Sequence, residues 1–152
     1  MKGRLMIGVA LALALAVGFT TPAAGQKDDA AAKEAKKFQG TWVFVSMERD
    51  GKQQPKGDEV MTVTIQGDKF TVKRGDKFFH SGTQKLYPAR KPKAIDARIT
   101  EGEGKGTTML GIYELDGDTL KVCFDEEGKA RPTEFKSKPN SSLFVVVARR
   151  KK

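Results

Sequence analysis

The chain carries one histidine, His80 in KFFHSG, and one cysteine, Cys123 in DTLKVCFD, and these are its only candidates for nucleophilic or soft-ligand chemistry. Zinc requires three or four ligands, so this pair alone cannot build a metal centre. A Cys–His nucleophilic couple needs a local signature around each residue, and neither segment has one. Alternation in DTLKVCFD sets Leu120, Val122 and Phe124 on one face of a strand and Lys121, Cys123 and Asp125 on the other. Cys123 is therefore expected as a small half-buried hydrophobe on the more polar face, with a thiol that pairs between chains or reacts as the alternative. His80 is expected to be partly buried with one backbone hydrogen bond, or to stand inside a ligand cavity.

Carboxylates are plentiful, but Asp50, Asp68, Asp76, Asp116, Asp118, Glu126 and Glu127 all fall in stretches that read as turns. Their side chains suit turn backbones better than acid–base work. No phosphate-cradling glycine loop, nucleophile elbow or H-E-x-x-H is present, so no catalytic, metal or cofactor site is expected. The RGD at 74–76 reads as hairpin chemistry, and the NSS at 140–142 fits a glycosylation sequon without implying modification.

The remaining question is what positions these residues. The first 25 residues read as an export segment: Lys2 and Arg4, the apolar LMIGVALALALAV, then Ala23-Ala24-Gly25 before Gln26. That stretch is short for a bilayer span, so cleavage near Gly25 and an extracytoplasmic location are expected, with a retained anchor as the alternative. Cleavage would leave 127 of the 152 residues and lower the net charge from +9 to +7. One cysteine allows no intrachain disulfide, so the exported domain must rest on its core.

Residues 26–38 form a leader or short helix, with Asp28 and Asp29 placed to favour a helix N-terminus, and residues 39–152 the domain. Strands are expected near 40–46, 59–66, 69–73, 77–85, 94–100, 107–115, 118–124 and 143–149. QGDK, RGDK and LDGDT supply tight-turn residues, and the connections leave no room for crossover helices. The result is an antiparallel meander. Closing eight sequential strands removes both unpaired edges, which makes an up-and-down barrel the economical fold. WVFVS and LFVVVA are apolar on both faces, as expected where a wall also packs under the N-terminal segment. YPARKPKAID and EEGKARPTEFKSKPN are the two long irregular segments.

Gly40-Thr41-Trp42 at the start of the first strand, after a short helix and before up-and-down strands that end near an arginine, resembles the lipocalin and calycin pattern. QGTW, KPKAIDARITEG, GIYELDGDTLKVCF and RPTEF more closely resemble an uncharacterised family of exported lipocalin-like domains abundant in planctomycete bacteria. The likeness spans nearly all of residues 38–150. It implies an all-β, eight-stranded lipocalin-like barrel whose Trp42 plugs the closed end beneath an arginine of the final strand. By position that arginine is Arg149, with Arg150 as its neighbour. Asp96, Arg131 and Glu134 lie in the shared blocks, where they would form ion pairs that fix the long loops or line a binding mouth.

Phe44, His80 and Tyr113 are the candidates for contact with a ligand. The basic residues gather in turns and at the C-terminus without interleaved aromatics, which argues against nucleic acid. The expectation is a monomeric, non-enzymatic exported barrel binding a small apolar or amphipathic molecule. The alternative is a scaffold whose basic loops bind acidic proteins or envelope polymers.

Overall fold

Three Gly-Asp dipeptides set the connectivity. Gly67, Gly75 and Gly117 have φ of 63°, 58° and 57°, and each opens a two-residue loop between directly paired strands, joining Gln66 to Lys69, Arg74 to Lys77 and Asp116 to Thr119. Glycine with positive φ at the first loop position is the chemistry of a hairpin turn whose twist matches its strands.

The computed structural model describes residues 24–152. Of the export segment expected over residues 1–25, all but the last two residues lie outside that range. Helix α1 (Ala24–Phe38) precedes β1 (Gly40–Arg49), β2 (Lys52–Gln53), β3 (Met61–Gln66), β4 (Lys69–Arg74), β5 (Lys77–Tyr87), β6 (Ala94–Gly102), β7 (Thr108–Asp116), β8 (Thr119–Asp125) and β9 (Leu143–Arg150). All neighbouring strands are antiparallel, and β9 returns to pair with β1 from Trp42–Arg150 to Arg49–Phe144. Eight strands thus close into an up-and-down barrel, as expected.

β2 stands outside the ring. It pairs only with Glu48 and Arg49 across the Asp50-Gly51 turn, where both residues have positive φ, 52° and 72°. That is the two-residue Asp-Gly hairpin, which the sequence reading missed by ending β1 at residue 46.

β1 contains a bulge between Phe44 and Ser46, opposite Ala148 and Val147 of β9. The extra residue, Val45, shifts the side-chain alternation by one step. Trp42 and Phe44 face the interior before it, and Met47 and Arg49 after it.

The interior core joins Ile65, Phe70, Val72, Ile95, Ile99 and Leu120 with residues of every other wall. A second, smaller cluster lies outside the barrel, where Ile112, Cys123 and Val145 of β7, β8 and β9 pack under Phe135. The apolar outer faces there are thus covered by the 126–142 segment, not by the N-terminal helix that the sequence suggested. The polar face assigned to Cys123 is likewise buried, and its exposure is 0%.

α1 closes one end of the barrel instead. Its first turn holds no acidic residue, so Asp28 and Asp29 fall one turn later than expected, while Lys36 and Lys37 suit the negative C-terminal end of the helix dipole. Phe38, 1% exposed, meets the Tyr113 ring edge-on at 5.0 Å. Glu34, 5% exposed, accepts from the Tyr113 hydroxyl at 3.0 Å and from Lys93 Nζ at 2.8 Å.

Candidate functional site

The closed end is built around Trp42. Gly40 has a φ of 114°, a conformation that side-chain-bearing residues rarely adopt, and it turns the chain from helix to strand beneath the indole. Trp42 is fully buried and donates Nε1–H to the Phe38 carbonyl at 2.8 Å. The arginine over the indole is Arg150, with its guanidinium 4.3 Å from the ring centroid. It also donates to Gln39 O at 2.5 Å and Lys37 O at 2.7 Å, and its Nε reaches Asp118 at 3.1 Å.

Arg149 does not take this role. On β9, Phe144, Val146 and Ala148 face inward, so Arg150 shares their face and the exposed Arg149 points away. The alternation was visible in LFVVVARR and should have decided between the two.

Above this floor lies a cavity of about 510 Å³. Its wall is almost wholly apolar: Phe44, Met47 and Val63 on one side, Ile99, Met109 and Val122 on the other, with Phe38 at the base. The polar lining residues Arg49, Arg74, His80, Glu103, Thr107 and Glu126 stand at the opposite, open end, on strand ends and loops. Gln84 is set deeper.

The charges at the mouth are partly committed. Arg49 and Glu126 form a two-pronged ion pair at 2.7 and 3.0 Å, and the Arg49 guanidinium lies 4.7 Å above the Phe144 ring. Arg74 lies over Phe79 at 5.2 Å and has no ion-pair partner among the described residues. His80 packs against Phe79 and Phe70, at 4.7 and 6.0 Å between ring centroids. Its Nδ1 lies 3.2 Å from the Glu103 carbonyl, which places the proton on Nδ1 and leaves Nε2 as the acceptor of the neutral ring. Burial holds its pKa below the ordinary histidine value, outweighing the Glu103 carbonyl, which favours protonation.

Of the three candidates for ligand contact, Phe44 and His80 border the cavity. Tyr113 does not. It is fully buried between α1 and the barrel, its hydroxyl spent on Glu34, and burial followed by the Glu34 charge raises its pKa. An apolar-flanked tyrosine near a floor reads in sequence like a cavity residue, because Glu34, its partner, sits 79 residues away in a segment that looks like a solvated helix.

His80 faces inward and Cys123 outward, so the two do not pair. The Cys123 thiol donates weakly to Lys136 O at 3.9 Å, and burial pushes its pKa up to about 11. The bland reading of Cys123 as a small packed hydrophobe fits this setting.

Asp96 and Arg131 do form the anticipated pair, with Arg131 Nη2 2.6 Å from Asp96 Oδ1. Arg131 Nη1 also donates to Ile95 O at 3.1 Å and Gly111 O at 2.8 Å, and the Tyr87 hydroxyl donates to Asp96 at 3.0 Å. This group clamps the 126–142 segment on the outside of the barrel, away from the mouth. Glu134 takes no part: it is exposed and has no ion-pair partner among the described residues.

The second anchor of that segment is Asp125, 3% exposed. It accepts from the Ser142 hydroxyl and from the amides of Glu127, Lys129 and Ala130 at 3.1, 2.9 and 2.9 Å. Burial alone would raise its pKa, yet Ser142 and these amides hold it below the ordinary aspartate value. A third anchor is Glu48, on the outer face of β1, which accepts from Ser137 N at 3.0 Å and Ser137 Oγ at 2.9 Å.

A closed eight-stranded barrel with a plugged floor, an apolar interior of this volume and a charged mouth belongs to the small cavity-bearing β-barrels. Comparison with protein-family models, with curated proteins and with solved structures returned no match for this chain. Among the described residues no helix is long and apolar enough to cross a membrane.

Proposed function

We propose that this chain is an exported, non-enzymatic barrel of lipocalin-like kinship that holds a small apolar or amphipathic molecule in its interior. The supporting observation is the cavity. At about 510 Å³ it falls within the ~300–1,000 Å³ of ligand pockets, and its apolar wall meets polar groups mainly at the mouth. An amphipathic occupant would bury its body among Phe44, Val63, Ile99 and Val122 and leave its polar end near Arg74 and His80.

The test is a thermal-shift and tryptophan-fluorescence screen of the domain against lipids and apolar metabolites. A ligand at about 100 times its Kd adds about 2.7 kcal/mol of stability, a shift of roughly 8 °C for a domain of this size. No saturable stabilisation by any member of a chemically broad apolar panel would overturn the reading. The rival, a scaffold binding acidic envelope polymers through basic loops, predicts capture that weakens with salt and indifference to cavity ligands.

A further inference from the structure

Gln84 is the one polar lining residue set away from the mouth. It lies on β5 opposite Ala97 of β6, which in turn pairs with Met109 of β7, and all three side chains border the cavity. Two residues further along β5, Leu86 packs into the core without lining the void. Gln84 is therefore the innermost lining residue that β5 supplies. Its backbone N–H is committed to Asp68 O at 2.7 Å, but no described residue hydrogen-bonds its side-chain amide. No fully buried polar side-chain atom lacks a partner among the described residues, so the amide, on a side chain that borders the cavity, stays open to water.

An amide in that position is costly to cover with hydrocarbon. A ligand that seats an apolar end against it strips its water and returns no hydrogen bond, whereas one that brings an oxygen satisfies it. We propose that Gln84 determines specificity, and that the ligand is an apolar molecule carrying a hydroxyl or carbonyl oxygen on the part that enters deepest. The amide supplies both a donor and an acceptor, so either oxygen function is served. This rests on the cavity-binding reading above and adds to it the chemistry of the buried end.

The probes are dodecanoate and 12-hydroxydodecanoate. Taking about 30 Å³ per small heavy-atom group, either needs roughly 420–450 Å³ and fits the cavity. The carboxylate resists burial and stays at the mouth, so the opposite end must meet Gln84. Calorimetric titration of the wild-type chain should show the hydroxylated probe binding about tenfold more tightly. In Gln84→Leu, and in the closer isostere Gln84→Met, the preference should vanish or reverse. Equal affinities for the wild type, or a preference that survives in a folded variant, overturn this inference and leave cavity binding standing. Failure of both probes, together with an unresponsive apolar panel, overturns both.

Discussion

The arginine over Trp42 gives the sharpest test of the closed end. Replacing Arg150 with Met keeps the stem and deletes the guanidinium. The change removes two charge-assisted hydrogen bonds to the Lys37 and Gln39 carbonyls, the stacking at 4.3 Å on the indole and the contact with Asp118. Hydrogen bonds from a charged donor contribute about 1.5 kcal/mol or more each, the cation–π contact about 1 kcal/mol, and the exposed Asp118 pair less than about 1 kcal/mol. With the donors partly exposed, the expected loss is about 3 kcal/mol, or roughly 10 °C in Tm for a domain of this size. Arg149→Met removes an exposed side chain of the same strand and should change stability by no more than about 0.5 kcal/mol. Urea denaturation of both variants measures this directly. A double-mutant cycle with Trp42→Phe should return a coupling of about 1 kcal/mol for Arg150 and none for Arg149. Equal costs at the two positions, or a larger one at Arg149, would refute the assignment of the plug.

Acid should destabilise the fold through Glu34 and Asp125. Both have folded-state pKa values below their ordinary ones, so their stability is fully present above the unfolded carboxylate range and is lost as pH falls through and below about 4. Glu34→Gln should flatten part of that fall in urea midpoints measured between pH 7 and 3, and an unchanged profile counts against the buried cluster. Cys123, fully buried with a thiol pushed up to about 11, should react with a disulfide reagent at pH 8 only as fast as the barrel opens. Labelling of the native chain at the rate of a free thiol contradicts its place under Phe135. Val122→Phe, which fills part of the cavity from β8, should abolish ligand-induced thermal shifts while altering the stability of the empty barrel by about 1 kcal/mol or less. Persisting shifts would place the ligand elsewhere.

Most of the barrel was legible in the chain because its signals are local. Gly-Asp turns and alternating apolar residues placed every strand of the ring, within two residues at every end except the C-terminal end of β1. That end was missed because a bulge breaks the alternation and because Asp50-Gly51, a hairpin signal as strong as the others, was not read as one. Phe44 and His80, named as ligand-contact candidates, do border the cavity, but alternation alone does not single out His80, because the extra residue Phe79 on β5 lines the void beside it. The same rule, applied to LFVVVARR, would have chosen Arg150 over Arg149.

What escaped the sequence depends on distant partners. Glu34 looks like one more charge on a polar helix until Tyr113 and Lys93 are brought to it. The apolar outer face of β9 was expected under the N-terminal segment and Cys123 of β8 on a more polar, half-buried face, whereas the 126–142 segment folds back over both, held by Asp125, Glu48 and the Asp96–Arg131 pair. Glu134, from the same motif as Arg131, shows that a shared block does not give each of its charges a partner. Gln84 was overlooked because a lone glutamine in a strand carries no motif.

The bulge at Val45 gives the entrance its electrical character. Were β1 to run through Val45 without the bulge, the residues past Phe44 would exchange sides of the sheet, turning Ser46 and Glu48 toward the void and Arg49 toward bulk water. A carboxylate would then hang beside Glu126 where a guanidinium now neutralises it, and Ser137 would lose its tether. Deleting Val45 itself would remove the bulge while leaving Met47 and Arg49 facing inward, so the doorway should stay balanced; only a strand that kept the valine and lost the bulge would become acidic and hostile to any anion seeking passage.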